Sequence, residues 1–262
     1  MELSSLRVTT CELRNDPSQL LNDWEALKTH CQNAETDMVL LPEMPFSPWL
    51  AASPNADKQA WKEACSKHDE WLERLPELEA GIVAGTRPVV LEDKALNEAF
   101  IWTGEKGYQA IHHKYYLPKE AYFWEASWYE RGQKQFDVAD VKGIKLGFLI
   151  CTEMWFLEHA RQYAKEGVQL LLCPRATGLA SASKWLAGGR TAATCSGAFC
   201  LSSNRGGSEP DGFAWGSHAW IIHPEEADVL AVSSNSEPFI TQTINLADAN
   251  KAKTSYPRYV LE

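Results

Sequence analysis

Short runs of apolar residues recur along the whole chain, and turn-forming residues separate them. The runs are rich in Val, Ile, Leu and aromatic side chains and are bounded by Gly, Pro, Asn or Asp, which is the pattern of β-strands. This pattern predicts strands over residues 6–13, 38–41, 81–90, 99–103, 108–117, 145–150, 169–173, 198–204, 218–223, 229–232 and 239–246.

Four segments between these runs have the spacing of amphipathic helices. In the first of them, Leu20, Leu21, Trp24 and Leu27 recur at intervals that place them on one side of a helix. Helices that alternate with strands favour an α/β architecture in which helices cover the sheets. No linker, low-complexity stretch or short repeat divides residues 1–262, so we expect one domain. The helices are predicted over residues 17–33, 57–75, 156–166 and 182–196.

The composition is that of an ordinary globular protein with an acidic balance. Apolar residues make up 45% of the chain, charged residues make up 23%, and the formal net charge is −10. An acidic surface repels phosphate, and no run of Lys and Arg offsets it, so we expect no nucleic-acid partner. No apolar run approaches the roughly 20 residues of a membrane helix, and the N-terminus lacks a signal-peptide pattern. We therefore expect a cytoplasmic protein that does not bind membranes.

The chain has seven cysteines, and their spacing does not indicate a metal or redox site. The number is odd, and no two of them have the close C-x-x-C spacing. Adjacent His112 and His113 have no Cys or carboxylate cluster nearby in the pattern of a zinc site. We therefore expect reduced cysteines, no metal and no cofactor.

The strongest candidate for chemistry is Cys151, which directly follows the apolar run that ends in Leu149-Ile150. Helix-forming sequence follows it from Leu157 onwards. A thiol at such a junction lies near backbone N–H groups and the positive end of the helix dipole. Both features favour a thiolate and can bind a developing oxyanion. The alternative is a buried structural cysteine at the end of a strand.

Two further charged residues lie at or near predicted strands. Glu43 comes just after the strand over residues 38–41 and lies between Pro42 and Pro45, which restrict its backbone. Lys114 lies within the aromatic-rich run over residues 108–117. Taken alone, each is explained as readily by a solvated surface side chain.

Together, Glu43, Lys114 and Cys151 resemble the catalytic residues of the nitrilase superfamily of carbon–nitrogen hydrolases. That family carries a Glu after a strand that ends in Pro-Glu, a Lys before a Leu-Pro, and a Cys after a Gly-x-x-Ile-Cys strand, in this order. The resemblance covers nearly the whole chain. Further residues that match the family are Glu125, Pro174, Trp185, Arg190, Asn204-Arg205 and Gly216-Ser217.

The resemblance implies a four-layer α-β-β-α sandwich and a thioester mechanism. Cys151 would be the nucleophile and Glu43 the base, and Lys114 with the backbone N–H of Thr152 would stabilise the oxyanion. Glu125 matches an additional Glu of the carbamoyl-amidase-like branches and would orient Lys114 or the substrate. The resemblance also implies a homodimer or larger homo-oligomer, with the helix after Cys151 as the contact surface.

The substrate class is less closely defined, because the nucleophile segment departs from the family patterns. Cys151 is followed by Thr-Glu-Met, whereas amidases commonly read Cys-Tyr-Asp and true nitrilases read Cys-Trp-Glu. We expect a small amide or N-carbamoyl compound as substrate. The alternatives are nitrile hydrolysis by the same three residues and a catalytically silent binding protein of the same fold. A serine hydrolase is disfavoured, because no Gly-x-Ser-x-Gly motif occurs.

Candidate substrate-binding residues follow the catalytic ones along the chain. Arg175 is a candidate for an anionic substrate group, since a guanidinium suits bidentate carboxylate recognition. An Arg turned to solvent or paired with a structural acid is the alternative. The other candidates are Thr152 and the side chains of Phe46, Trp49, Tyr122, Trp128, Trp155 and Thr177.

Overall fold

The computed structural model describes residues 4–216 and 218–260, so Ser217 of the Gly-Ser pair lies outside the described residues. Across the described residues, no helix is long and apolar enough to cross a membrane. The strands are β1 (Ser5–Arg14), β2 (Met38–Leu40), β3 (Ile82–Leu91), β4 (Lys94–Thr103), β5 (Gly107–His113), β6 (Ala139–Val141), β7 (Ile144–Phe148), β8 (Leu170–Pro174), β9 (Phe199–Gly206), β10 (Trp220–Ile222), β11 (Val229–Val232) and β12 (Phe239–Asn245). The helices are α1 (Leu20–Ala34), α2 (Lys58–Leu72), α3 (Glu125–Trp128), α4 (Leu157–Glu166), α5 (Ala182–Ser196) and α6 (Leu246–Ala252).

The strands form two sheets that meet along β1 and β9. One sheet has the order β5-β4-β3-β2-β1, with β12 antiparallel to β1. The other has the order β9-β8-β7-β6, with β10 and β11 added beside β9. A short parallel ladder in which Glu12 pairs with Asn204 and Arg14 with Gly206 joins the two sheets.

Alternating side chains along each strand belong to two different cores. In β2, Met38 and Leu40 lie in the core between the two sheets, whereas Val39 packs beneath α1 and α2. The strand β8 alternates in the same way between the inner core and a third core that includes Tyr163 of α4. Each sheet therefore has one helix-covered face and one face against the other sheet. This arrangement confirms the four-layer α-β-β-α sandwich.

The four predicted helices are present, but one predicted strand boundary near the candidate site is wrong, and a short turn that was not predicted follows Cys151. The strand β5 ends at His113, so Lys114 lies just beyond the strand rather than within an extended run. A 3₁₀ turn over Cys151–Trp155 separates the thiol from α4, which begins at Leu157. The positive end of an α-helix therefore does not directly follow Cys151, because the short turn comes first.

Candidate active site

Cys151 lies on a sharp turn after β7. Its backbone has a φ of 47°, which is uncommon for a residue other than glycine, and it is only 3% exposed. The Sγ atom lies 3.9 Å from the carbonyl oxygen of Ala176, which follows β8. The turn opens into a cavity of about 280 Å³. This cavity is lined by Pro118, Glu120, Phe123, Glu125, Cys151, Thr152, Trp155, Ala176, Thr177, Ser181, Lys184 and Trp185.

Glu43 is held at its backbone and at one carboxylate oxygen. Its N–H donates to the carbonyl oxygen of Arg175 at 3.2 Å, and its own carbonyl accepts from Nε of Arg205 at 3.1 Å. The Nδ2 atom of Asn97 donates to Oε1 at 2.8 Å. The buried Oε2 atom has no hydrogen-bond partner among the described residues. One carboxylate oxygen is therefore available to accept a proton.

Lys114 lies between two buried carboxylates. Its Nζ atom is 2.7 Å from Oε1 of Glu43 and 2.6 Å from Oε2 of Glu125, and all three side chains are fully buried. Burial lowers the pKa of Lys114, but the negative charges of Glu125 and Glu43 more than offset this, and the net shift is upward. Lys114 therefore stays a cation inside the protein.

Glu125 is the first residue of α3, and its Oε2 atom binds Nζ of Lys114. The Tyr129 hydroxyl donates to its Oε2 atom, while Oε1 is buried and unpartnered within the described part of the chain. Burial raises the pKa of Glu125 to about 7, with the charge of Lys114 lowering it and that of Glu43 raising it. The protonated form of this carboxyl group is therefore more favourable than it would be in water.

The thiol of Cys151 is held protonated at rest. Burial raises its pKa, the charges of Glu43 and Glu125 raise it further, and Lys114 lowers it. The expectation that the junction favours a thiolate is therefore wrong. The reason is that the sulfur is buried and two carboxylates lie within electrostatic reach of it. A nearby base must take the thiol proton before or during attack.

Three of the predicted substrate-binding residues line the cavity, and the others do not. Thr152, Trp155 and Thr177 lie on its wall. Tyr122 lies elsewhere, because its ring stacks on Phe213 at 4.0 Å between centroids and its hydroxyl donates to Asp211. The prediction that it binds substrate is not supported by this position. Other aromatic candidates that are absent from the cavity wall are Phe46, Trp49 and Trp128.

Arg175 is turned away from the cavity. Its guanidinium is fully buried and donates to Oγ of Ser202 at 2.7 Å, to Oγ1 of Thr177 at 2.9 Å and to the carbonyl oxygen of His218 at 2.6 Å. It also stacks on the ring of Trp220, 3.9 Å from the ring centroid. The expectation that Arg175 contacts an anionic substrate group is therefore wrong. The guanidinium donates its hydrogen bonds to these internal partners, and one of the bonds holds Thr177 in place on the cavity wall.

Four residues that support the candidate catalytic groups were not among the predicted site residues. Asn97 and Tyr129 belong to this set, as do His112 and Glu153, which form a buried pair. Asn97 is fully buried in β4 between Leu96 and Glu98, and no feature of the sequence marks it as a site residue. The described residues contain no group of three His, Cys, Asp or Glu side chains that could hold a metal ion.

Comparisons with known proteins point to one family. A family model described as carbon-nitrogen hydrolase matches residues 6–254. The chloroplastic omega-amidase of Arabidopsis thaliana is 24% identical over 267 residues, which cover 97% of this chain and 72% of that protein. The citrullinase of Francisella tularensis subsp. tularensis is 35% identical over 68 residues. That match covers 26% of this chain and only 24% of the citrullinase.

The fold is shared with solved structures at lower identity. A carbon-nitrogen hydrolase from Helicobacter pylori G27 superposes with a TM-score of 0.83 at 17% identity. The superposition covers 97% of this chain and 94% of that protein. At this level of identity the likeness establishes the common architecture alone.

Proposed function

The chain belongs to the carbon–nitrogen hydrolase family, and from this premise we propose that it is an enzyme that hydrolyses a small amide or N-carbamoyl compound through a thioester on Cys151. One observation carries the proposal: the buried cation of Lys114 lies between Glu43 and Glu125, beside a thiol that opens into a cavity. A nucleophile, a base and an oxyanion partner are thus present together.

The first half of the proposed reaction forms the thioester. Glu43 takes the thiol proton onto its free Oε2 atom as Sγ bonds to the carbonyl carbon. The carbonyl π electrons move to oxygen, and Lys114 with the backbone N–H of Thr152 stabilises that negative charge. Glu43 then gives its proton to the nitrogen, the C–N bond breaks, and ammonia or an amine leaves.

The second half of the reaction returns the enzyme to its starting state. Glu43 takes a proton from water, whose oxygen bonds to the thioester carbon. The tetrahedral species collapses, the C–S bond breaks, and the proton held by Glu43 returns to the sulfur of Cys151. An amide yields a carboxylic acid, and an N-carbamoyl compound that has lost ammonia in the first half yields a carbamic acid, which decomposes to the amine and CO₂.

Glu125 has a supporting role in this scheme. It binds Nζ of Lys114 through Oε2 and so keeps the cation aimed at the reacting oxygen. Glu125 is also one of the residues that line the cavity, and its Oε1 atom has no partner among the described residues, so in this scheme it accepts a hydrogen bond from the substrate nitrogen.

The size of the cavity supports a small substrate. Its volume of about 280 Å³ lies at or below the lower end of the range for small-molecule sites. The rings of Trp155 and Trp185 lie 5.0 Å apart and narrow one side of it. An amide is favoured over a nitrile, because the nitrile adduct must first become a thioimidate and take up water before ammonia can leave.

The test is ammonia release from matched amides, N-carbamoyl compounds and nitriles, with mass spectrometry of acid-quenched enzyme. We expect turnover of a small amide or N-carbamoyl compound and an acyl adduct on Cys151 that the variant Cys151→Ala lacks. A preference for a nitrile over its own amide above about tenfold in kcat/KM, roughly 1.4 kcal/mol, would replace this proposal by nitrile hydrolysis. Binding of all compounds without turnover would identify a silent binding protein.

A further inference from the structure

A second buried charged group lies directly behind the nucleophile turn. The carboxylate of Glu153 accepts the backbone N–H of Ile150 at 2.9 Å through Oε2 and the backbone N–H of Tyr115 at 2.7 Å through Oε1. Ile150 is the residue before Cys151, and Tyr115 is the residue after Lys114. One carboxylate therefore joins the chain segments that carry the nucleophile and the cation.

His112 completes this cluster, and its hydrogen bonds define its protonation. Its Nε2 atom lies 3.0 and 2.9 Å from the two carboxylate oxygens of Glu153, and its Nδ1 atom lies 3.0 Å from the carbonyl oxygen of Gln135. A carbonyl oxygen can only accept, so Nδ1 must carry a hydrogen. The contact between Nε2 and the carboxylate also needs a proton. His112 and Glu153 together therefore hold one proton more than a neutral imidazole and an ionised carboxylate would hold.

The cluster is separate from the groups that touch the cavity. The side chain of Glu153 is 0% exposed and that of His112 is 2% exposed, and neither lines the cavity. The ring of Phe136 covers His112, with 4.8 Å between centroids. A carboxylate buried this deeply is stable only with several donors or a counter-charge, and this one has both.

We propose that Glu153 is a positioning residue for the reaction and that His112 is its imidazolium partner. The inference rests on the proposed roles of Cys151 and Lys114. The two backbone N–H groups belong to the segments that follow β5 and β7. These two strands belong to the two different sheets that face each other across the inner core. A rigid anion bonded to both sets the distance between sulfur and Nζ. This distance determines whether the oxyanion of a substrate that is bonded to sulfur lies within reach of the cation.

The first variant is Glu153→Gln, which keeps the size but replaces one acceptor oxygen with a donor NH₂ group. We expect kcat to fall on the order of 10²-fold with KM changed by less than about threefold, because small displacements of reacting groups cost this much. Glu153→Asp keeps the charge but shortens the reach, so we expect an activity between those of Glu153→Gln and the wild type. Unchanged kcat in Glu153→Gln would overturn the proposal.

The second measurement does not depend on turnover. In protein labelled with ¹⁵N-histidine, we expect both ring nitrogens of His112 to show the shifts of an imidazolium at neutral pH in the wild type. A neutral ring would overturn the assignment of the pair, whatever the activity. This spectrum still tests the assignment of His112 and Glu153 if the variant Glu153→Gln fails to fold, because it uses only the wild-type protein. Loss of the proposed function would appear differently, as activity that survives in Cys151→Ala.

A matched control comes from the neighbouring His159. Its Nε2 atom bonds to the Tyr116 hydroxyl at 3.1 Å, and its ring stacks on the same Phe136 at 3.6 Å. We expect His112→Gln to lower kcat and His159→Gln to leave it within about threefold of the wild type. Equal losses in the two variants would show that general packing, and not the bond to Glu153, is responsible.

Discussion

The Nζ atom of Lys114 lies 2.6 Å from Oε2 of Glu125, and both side chains are completely buried. Glu43 binds the same Nζ atom at 2.7 Å, so one cation is shared between two carboxylates. When both carboxylates are ionised, the cluster carries a net negative charge in a region closed to water. Such a charge is tolerated only while the cation stays in place. Several properties of the protein follow from this arrangement.

Replacing Cys151 with Ala should abolish turnover and leave the fold intact. The change removes only the nucleophilic sulfur, and loss of a nucleophile costs at least about 10³-fold in kcat. Ammonia release and the thermal unfolding midpoint should be measured together. Cys195→Ala is the control, because this partly exposed cysteine lies in α5 and should be dispensable. Residual activity of Cys151→Ala within about tenfold of the wild type would exclude it as the nucleophile.

Replacing Glu43 with Gln should leave a folded protein with very low kcat. Gln keeps the shape and can still accept from Asn97 and Lys114, but it cannot take a proton from the thiol. The loss expected for a general base is about 10²–10⁴-fold. Steady-state kinetics on the best amide, with a substrate-like inhibitor to report binding, would measure it. Full kcat in this variant would assign the base to another group.

Replacing Lys114 with Met should reduce stability as well as activity. Glu43 and Glu125 would then lie buried without their shared cation, which is expected to cost about 3–5 kcal/mol of unfolding free energy. The double variant Lys114→Met with Glu125→Gln should recover most of this loss, because one of the uncompensated charges is removed. Urea unfolding of the two variants tests this. If the double variant were no more stable than the single one, charge burial would not be the cause.

The ionisation of the Glu125 carboxyl group should make the stability of the folded protein depend on pH. Its pKa is raised from 4.5 to about 7 in the folded protein, so the folded state binds a proton that the unfolded state releases at lower pH. Its contribution to stability is therefore present below pH 4.5 and is lost as the pH rises through about 7. Glu125→Gln should flatten this part of the stability curve. Urea unfolding at several pH values measures it, and identical slopes for both proteins would contradict the assignment.

Replacing Arg175 with Met should lower kcat/KM for acidic and for neutral amides to the same degree. The guanidinium binds Ser202, Thr177 and a backbone carbonyl rather than facing the cavity. Its loss should therefore disturb the wall at Thr177 without removing a charge from the substrate site. The measurement is kcat/KM on a matched pair of amides. A loss on the acidic amide about tenfold larger than on the neutral one would restore a direct role in binding.

Much of the fold and the main catalytic candidates followed from local patterns. The apolar runs of β2 and β8 and the apolar spacing in α1 depend on neighbours within a few residues, so the sequence alone reveals them. The resemblance to a family added the four-layer arrangement and the order Glu43, Lys114, Cys151. Helix and strand boundaries near the site were harder to predict. The turn at Cys151–Trp155 is shaped by bonds such as that between Ile150 and the side chain of Glu153.

The sequence by itself determined which residues have the chemistry for the reaction, because residue type and position after an apolar strand are local properties. Only the tertiary structure decided what those residues contact. Glu43 and Lys114 are 71 residues apart and meet because β2 and β5 belong to one sheet. A guanidinium suits an internal acceptor as well as a substrate carboxylate, so the direction of Arg175 depends on where β9 places Ser202. The pKa of the Cys151 thiol likewise depends on burial and on carboxylates that are far away in sequence but near in space. The sequence reveals neither of these.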